Sequence, residues 1–414
     1  MNNLATSESN AGRPAAHGAI LHTMFASFLG WTLDAFDFFV VVFVVDRLAI
    51  SFGVSKADII WTMTATLAMR PVGALLFGLL ADRYGRRVPF MASVIYFSVI
   101  ELLCGFASSY RMFLLLRALY GIGMGGEWGV GASLAMEAAP RRWRGVLSGM
   151  LQSGYSIGYL LAAVAARLIL PAWPAWGWRA MFWAGAAPGL LAFYVLATVP
   201  ESEAWRQHRG GNTAEILRIV AANWKGFLYL VVLMTMMMFL SHGTQDLYPD
   251  FLKTEHKFAT ATVSYLAMLY NVGAVVGAII FGQLSERLGR RRSMVTAIFL
   301  SLAVIPFWAF GGTVGVLAAA AFVMQVGVQG AWGIIPAHLN EVSHDATRSL
   351  LPGLAYQLGI LFAAPTNTVE YGLSHRLGYS WAMAAFEITA MVVAIGVISL
   401  GPERRGRDFL GVRD

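Results

Sequence analysis

The chain holds one cysteine in 414 residues, Cys104, set in an apolar run, so an intramolecular disulfide is excluded. Charge is scarce too: Asp, Glu, Lys and Arg make up 13% of the residues, where soluble domains carry about 25%. Hydrophobic residues make up 57%. That balance excludes a soluble globular domain and leaves a polytopic membrane protein. No GxxxxGK[ST] string occurs, so ATP is not the energy source. The first apolar run is too long for a signal-peptide core and no small-residue cleavage site follows it, so it is expected to be a membrane span and not a leader. No nucleophile–base pair and no set of metal ligands stands out, so neither an enzyme nor a metal or cofactor site is expected. The net charge of +7 is no nucleic-acid signal, because the cationic residues sit mainly in short loops, where they set topology.

What is present is apolar length. Spanning a bilayer takes about 20 apolar residues, and twelve such runs occur, at roughly 22–46, 58–81, 88–108, 111–136, 146–170, 179–199, 226–250, 260–283, 293–311, 314–338, 349–373 and 379–400. Basic residues cluster in alternate loops: Arg83, Arg86 and Arg87; Arg141, Arg142 and Arg144; Arg206, Arg209, Arg218 and Lys225; Arg287, Arg290, Arg291 and Arg292; Arg348; and Arg404, Arg405 and Arg407. This pattern places both termini in the cytoplasm of a cell whose inner membrane the chain crosses many times. Residues 1–18 are polar and are expected to form a disordered tail, with 401–414 as a second tail.

The chain repeats itself. Gly78-Leu-Leu-Ala-Asp82-Arg83-Tyr-Gly85-Arg86-Arg87 returns as Gly282-Gln-Leu-Ser-Glu286-Arg287-Leu-Gly289-Arg290-Arg291, 204 residues later. The same offset takes Trp128 to Trp332, Glu137 to Glu341, Arg144 to Arg348 and Gly149 to Gly353, and Pro200-Glu201 returns as Pro402-Glu403. Two six-helix bundles follow, at 19–199 and 226–400, joined by a linker at 200–225. Repeated bundles with a site held between them at mid-depth describe a secondary transporter.

Several charged and polar residues fall at membrane depth, where they are expected to face protein or a water-filled cavity. Asp34 and Asp37 are three apart and share a helix face. Two carboxylates so close in a low dielectric repel, which makes the pair a candidate proton carrier; a structural carboxylate aiding helix packing is the alternative. Arg117 and Glu127 lie in a run whose glycines at 121, 123, 125, 126 and 129 allow a neighbouring helix close approach. Arg70, before Pro71, is a guanidinium able to hold a carboxylate with two parallel hydrogen bonds, or else to pair with Asp34 or Glu101. His242, Gln245 and Asp246, at i, i+3 and i+4, read as one polar stripe lining a pathway. Asn271, Gln325, Gln329 and Gln357 are neutral hydrogen-bonders at mid-depth that bridge helices or touch solute.

The duplicated GLLADRYGRR loop and Arg117-xxx-Gly121-x-Gly123-x-Gly125 resemble the major facilitator superfamily, over the whole chain apart from its tails. Gly125-Gly126-Glu127-Trp128-Gly129, Glu137…Arg144-Gly145 and Asp34-Ala-Phe-Asp37 resemble its sialate and metabolite proton symporter branch. Ser241-His242-Gly243-Thr244-Gln245-Asp246 and Tyr356-Gln357-Leu358-Gly359 are similar to signatures of the lactate and pyruvate permeases in that branch. Met238, Asp250 and Ile360 depart from them, standing where Asn, Thr and Asn are expected.

The resemblance implies an all-α fold of twelve membrane helices in two pseudo-symmetric bundles. It implies symport of protons with a small monocarboxylate, by a carrier working as a monomer in the bilayer. Another organic acid, or a nutrient sensor on the same scaffold, stays open. Arg117 would pair with Asp37 or Asp34 and be released by protonation. Arg70, His242, Gln245, Asp246, Asn271 and Gln357 would bind the acid. Gly78, Asp82, Arg83, Gly85, Arg86, Arg87, Glu137, Arg144, Gly282, Glu286, Arg287, Glu341 and Arg348 would form the cytoplasmic latch of the outward-open state.

Overall fold

The computed structural model describes residues 13–187, 189–207 and 213–409. The first half holds α1 (Arg13–Phe52), α2 (Lys56–Tyr84), α3 (Arg87–Gly105), α4 (Tyr110–Ala138), α5 (Arg144–Ala172), α6 (Gly177–Ala184) and α7 (Gly189–Thr198). Two short helices, α8 (Glu203–Gln207) and α9 (Thr213–Ala222), occupy the linker. The second half holds α10 (Trp224–Gln245), α11 (Tyr248–Thr254), α12 (Thr260–Leu288), α13 (Arg290–Phe310), α14 (Val314–Val342), α15 (Leu350–Ala363), α16 (Thr366–Leu377) and α17 (Tyr379–Leu400).

With α6–α7, α10–α11 and α15–α16 each taken as one interrupted span, these helices make the twelve expected crossings. Two of the interruptions have a local cause. Pro249 opens α11 and Pro365 precedes α16, and a ring without an N–H starts a helix more readily than it continues one. Among the described residues, ten segments carry a long apolar stretch. The two other spans are α4, with Arg117 and Glu127, and the broken α15–α16.

Part of the stretch expected to be a tail, 1–18, is helical. Helix α1 begins at Arg13, because Pro14 is tolerated in a first turn and Ala15 and Ala16 favour helix. Residues 1–12, Arg209 of the linker and 410–414 lie outside the described residues.

Caps mark the ends away from the basic loops. Ser55 and Asp58 form a reciprocal capping box on α2, and Ser109 and Thr313 cap α4 and α14. At the basic-loop end, α2 and α12 stop at Gly85 and Gly289, with φ of 110° and 95°. A side chain is strained in that region, and a Cβ at Gly85 would collide with the Glu201 carboxylate. The duplicated Pro-Glu pair has a matching task. Glu201 accepts from the Arg86 and Arg87 amides and Glu403 from those of Arg290 and Arg291, so each carboxylate holds the start of the next helix.

The halves pack through α2–α4 and α1–α5 in the first and α12–α14 in the second, and meet along α5–α12, α2–α15 and α4–α15. Contact is backbone to backbone at several points. A Cβ at Gly121 or Gly125 would strike the carbonyl of Thr66 or Arg70, and one at Gly129 would lie 2.6 Å from Gly353 Cα in the other half.

Candidate functional site

A cavity of about 340 Å³ opens between the halves. Arg70 of α2, Tyr155 of α5, His242 of α10 and Asp246 that caps it, Trp332 of α14 and Tyr356 of α15 are among its lining residues. The His242 and Asp246 side chains are 37% and 35% exposed, which places the mouth at the end opposite the basic loops. Arg70 lies deep, 3% exposed. Its Nε and Nη2 have no hydrogen-bond partner among the described residues. The alternative ion pairs with Asp34 and Glu101 are not formed. Asp246 Oδ2 meets His242 Nδ1 at 3.0 Å and accepts from Asn367 Nδ2 at 2.9 Å. Tyr356 and Trp332 line the cavity and are backed by an aromatic cluster. Tyr356 stacks on Trp128 with ring centroids 4.1 Å apart and has Trp31 and Trp332 at 6.0 and 5.8 Å.

Three expected members of the site stand elsewhere. At about 100° per residue, Gln245 lies about 60° to one side of His242 and Asp246 about 40° to the other, so the stripe divides. Gln245 turns to α14 and donates to Gln325 Oε1 at 2.6 Å, while Gln325 donates to Thr244 Oγ1 at 3.0 Å. Asn271 donates to the Ala267 carbonyl of its own helix at 2.9 Å. Gln357 is fully buried and reaches the Gly125 carbonyl across the two halves, at 3.4 Å. Gln329, a helix-bridging candidate, lines the cavity and donates to Ser241.

The partner expected for Arg117 is also corrected. Its Nη1 lies 2.8 Å from Glu101 Oε2, with both side chains fully buried, and its guanidinium sits 4.2 Å over the Tyr120 ring. Asp34 and Asp37 are fully buried, and among the described residues their carboxylate oxygens have no hydrogen-bond partner. Glu127 is equally buried and unpartnered, its Oε1 against Gly30 and beside Phe90. Away from the basic-loop end, the first half thus buries four carboxylates, Asp34, Asp37, Glu101 and Glu127, and two guanidiniums, Arg70 and Arg117, with one ion pair among them. Glu370 and Glu387 add two buried, unpartnered carboxylates in the second half. Sequence reasoning passed over both, although each is the lone acid of an apolar run.

At the basic-loop end the halves are bolted together. Arg86 bridges Asp82 at 2.5 Å and Glu137 at 3.1 Å, and Glu137 takes Arg348 of the other half at 2.9 Å. Arg290 bridges Glu286 at 2.8 Å and Glu341 at 2.9 Å, and Glu341 takes Arg144 of the first half at 3.1 Å. Asp82 accepts the Ser349 and Leu350 amides at 3.1 and 3.0 Å, and Glu286 accepts the Gly145 amide. Each acid therefore holds a helix start of the opposite half. Gly78 lies against Leu350, and Gly282 against Gly145. Arg83 donates to Thr213 of the linker and Arg87 to the Leu196 carbonyl, whereas the Arg287 side chain has no described partner.

Arg290, absent from the expected latch, was legible as the repeat of Arg86. The tail at 401–409 is packed: Phe409 is 2% exposed, with the Arg144 and Arg348 guanidiniums each 3.9 Å from its ring. Arg407 pairs with Asp345 at 2.8 Å.

The sequence profile described as "Sugar (and other) transporter" matches residues 21–226 and 225–403. The chain belongs to that family. It is a multi-pass membrane transporter of the major facilitator fold, and no enzyme. Among similar proteins is a "Carboxylic acid transporter protein homolog" of Saccharomyces cerevisiae, 29% identical over 93% of this chain and 68% of its own length. A "Probable 4-methylmuconolactone transporter" of Cupriavidus pinatubonensis is 28% identical over 93% and 91%. The human organic anion transporter MFSD10 superposes with a TM-score of 0.76 at 13% identity, over 92% of this chain and 99% of its own.

Proposed function

We propose that this transporter carries a small monocarboxylate together with protons, lactate and pyruvate being the leading candidates. The observation that carries the reading is Arg70: a deep guanidinium with unused donors, lining a cavity in which no described carboxylate bonds to it, Asp246 being held by His242 and Asn367. A substrate carboxylate supplies the missing partner by two parallel hydrogen bonds. His242, held by Asp246, lines the same cavity from the other half and is the more exposed of the two, so in this reading it receives the acid first. Relatives named for carboxylic acid and muconolactone transport fit this chemistry.

Protons follow from charge balance. Asp34, Asp37, Glu101 and Glu127 exceed Arg70 and Arg117 by two, and an uncompensated charge at membrane depth costs several kcal/mol. In our reading Asp34 and Asp37 load from the mouth, and the neutral carrier then rocks about the linker at 200–225. The basic-loop end, with both termini, faces the cytoplasm of an inner membrane, so this conformation is outward-facing with its latch shut. The working unit is the monomer.

A second reading is favoured by one observation. The Phe38, Tyr155, Trp332 and Tyr356 lining suits a flat, larger acid as well as a three-carbon one. Uptake by proteoliposomes under an imposed inward pH gradient, over a panel of short, aromatic and lactone acids, separates the two. Lactate uptake that collapses with a protonophore supports the first reading; preference for ring acids supports the second. Uptake unchanged with the proton gradient abolished and a sodium gradient imposed overturns the symport.

A further inference from the structure

A second cavity, of about 690 Å³, lies at the basic-loop end of the second half, between the α12–α13 turn, the end of α17 and the tail. Arg287, Arg291, Arg292, Arg404 and Arg405 line it with a single acid, Glu403, for a net charge of 5 − 1 = +4. Glu403 is engaged by the amides of Arg290, Arg291 and Arg405. Arg291 donates to the Ile398 carbonyl, and Arg405 to the carbonyls of Glu286 and Arg287. Those bonds orient two guanidiniums and leave their charge uncancelled. Arg287 and Arg292 have no described side-chain partner at all. Beside them Leu288 and Leu400 are 44% and 90% exposed, so the groove sits where helix ends leave the hydrocarbon and enter the headgroup layer.

The first half shows that the fold does not require such a groove. Arg83, the repeat of Arg287, is tied to Thr213 of the linker. Arg87, the repeat of Arg291, is tied to the Leu196 carbonyl. Val88 stands where the second half has Arg292, and Ser202 and Glu203 stand where it has Arg404 and Arg405. Loop arginines that only set topology need be numerous; they need not converge on one cavity. Convergent planar donors match a phosphate better than they match water.

We propose that this groove binds the phosphate of an anionic phospholipid headgroup and anchors the second half to the leaflet. The site is independent of which solute is carried. Its test uses the full chain purified in detergent, with phosphatidylglycerol, phosphatidylcholine or inorganic phosphate added. The readouts are lipid retention by native mass spectrometry and the thermal unfolding midpoint. Wild type is expected to retain phosphatidylglycerol over phosphatidylcholine and to unfold at a higher temperature with it. An arginine at an anionic surface contributes about fivefold, so Arg287→Gln with Arg292→Gln should weaken retention about 30-fold. Arg292→Val, which copies the first half, should weaken it about fivefold, and Arg83→Gln should leave it unchanged. Retention unaltered in the double variant overturns the proposal. So does equal retention of both lipids, or a midpoint rise with inorganic phosphate equal to that with phosphatidylglycerol.

Discussion

At the basic-loop end the two halves are near copies. Arg86 and Arg290 each bridge two acids, and in each half one of those acids reaches a helix start across the interface. Midway through the membrane the likeness ends. The first half buries Asp34, Asp37, Glu101 and Glu127 with Arg70 and Arg117, mostly unpaired. The second half has no guanidinium there: it holds neutral bonds, Gln245 to Gln325 to Thr244 and Gln329 to Ser241, with the His242–Asp246 pair at the cavity and Glu370 and Glu387 buried without cations. The repeat is retained where the halves must grip one another and is lost at mid-depth, where Arg70 and Arg117 have no counterpart in the second half.

If the charged half runs the coupling, the largest effect should come from removing its free carboxylates. Asp34→Asn with Asp37→Asn should abolish accumulation of substrate while leaving counterflow exchange in place; normal accumulation would move the coupling to His242 and Asp246. The paired carboxylate of the same half should behave oppositely. Glu101→Leu strands a buried guanidinium and should cost about 3–5 kcal/mol of stability, seen as a drop in the thermal midpoint that Asp34→Asn does not share. Arg70→Lys should weaken binding of the acid by about 10- to 100-fold, since a charge-assisted hydrogen bond is worth roughly 1.5–3 kcal/mol. The neutral amide of the same acid should be indifferent to the change. A coupling energy of zero between acid and arginine would remove Arg70 from the site. Smallest, Asp82→Asn at the duplicated end should slow turnover a few-fold with little change in affinity, and a large affinity loss would contradict its distance from the cavity.

Much of this was open to a reader of the sequence. Run lengths located the spans, and the 204-residue register located the grip of each half on the other, because both are properties of local pattern. Arg70, His242 and Asp246 line one cavity. The partner of Arg117 was hidden, because whether Asp37 or Glu101 lies within reach depends on how α1 and α3 rotate against α4. Gln245 was misplaced for a related reason: a helix face about 100° wide can point into a cavity at one edge and into a neighbour at the other. The tail's hold on Arg144 and Arg348 through Phe409 has no signature in spacing at all.

The glycines that let the halves touch carry a consequence for speed. Interlocked side chains must be released and re-ordered each time a joint opens and shuts, and long ones lose up to about 2 kcal/mol of rotamer freedom on each return. Gly129 against Gly353, and Gly145 against Gly282, have no rotamers to lose. The joint therefore acts as a bearing and not as a set of teeth. Its friction comes from the ion pairs at one rim, which leaves the rate of rocking to be set by charge and solute while the surfaces themselves slide.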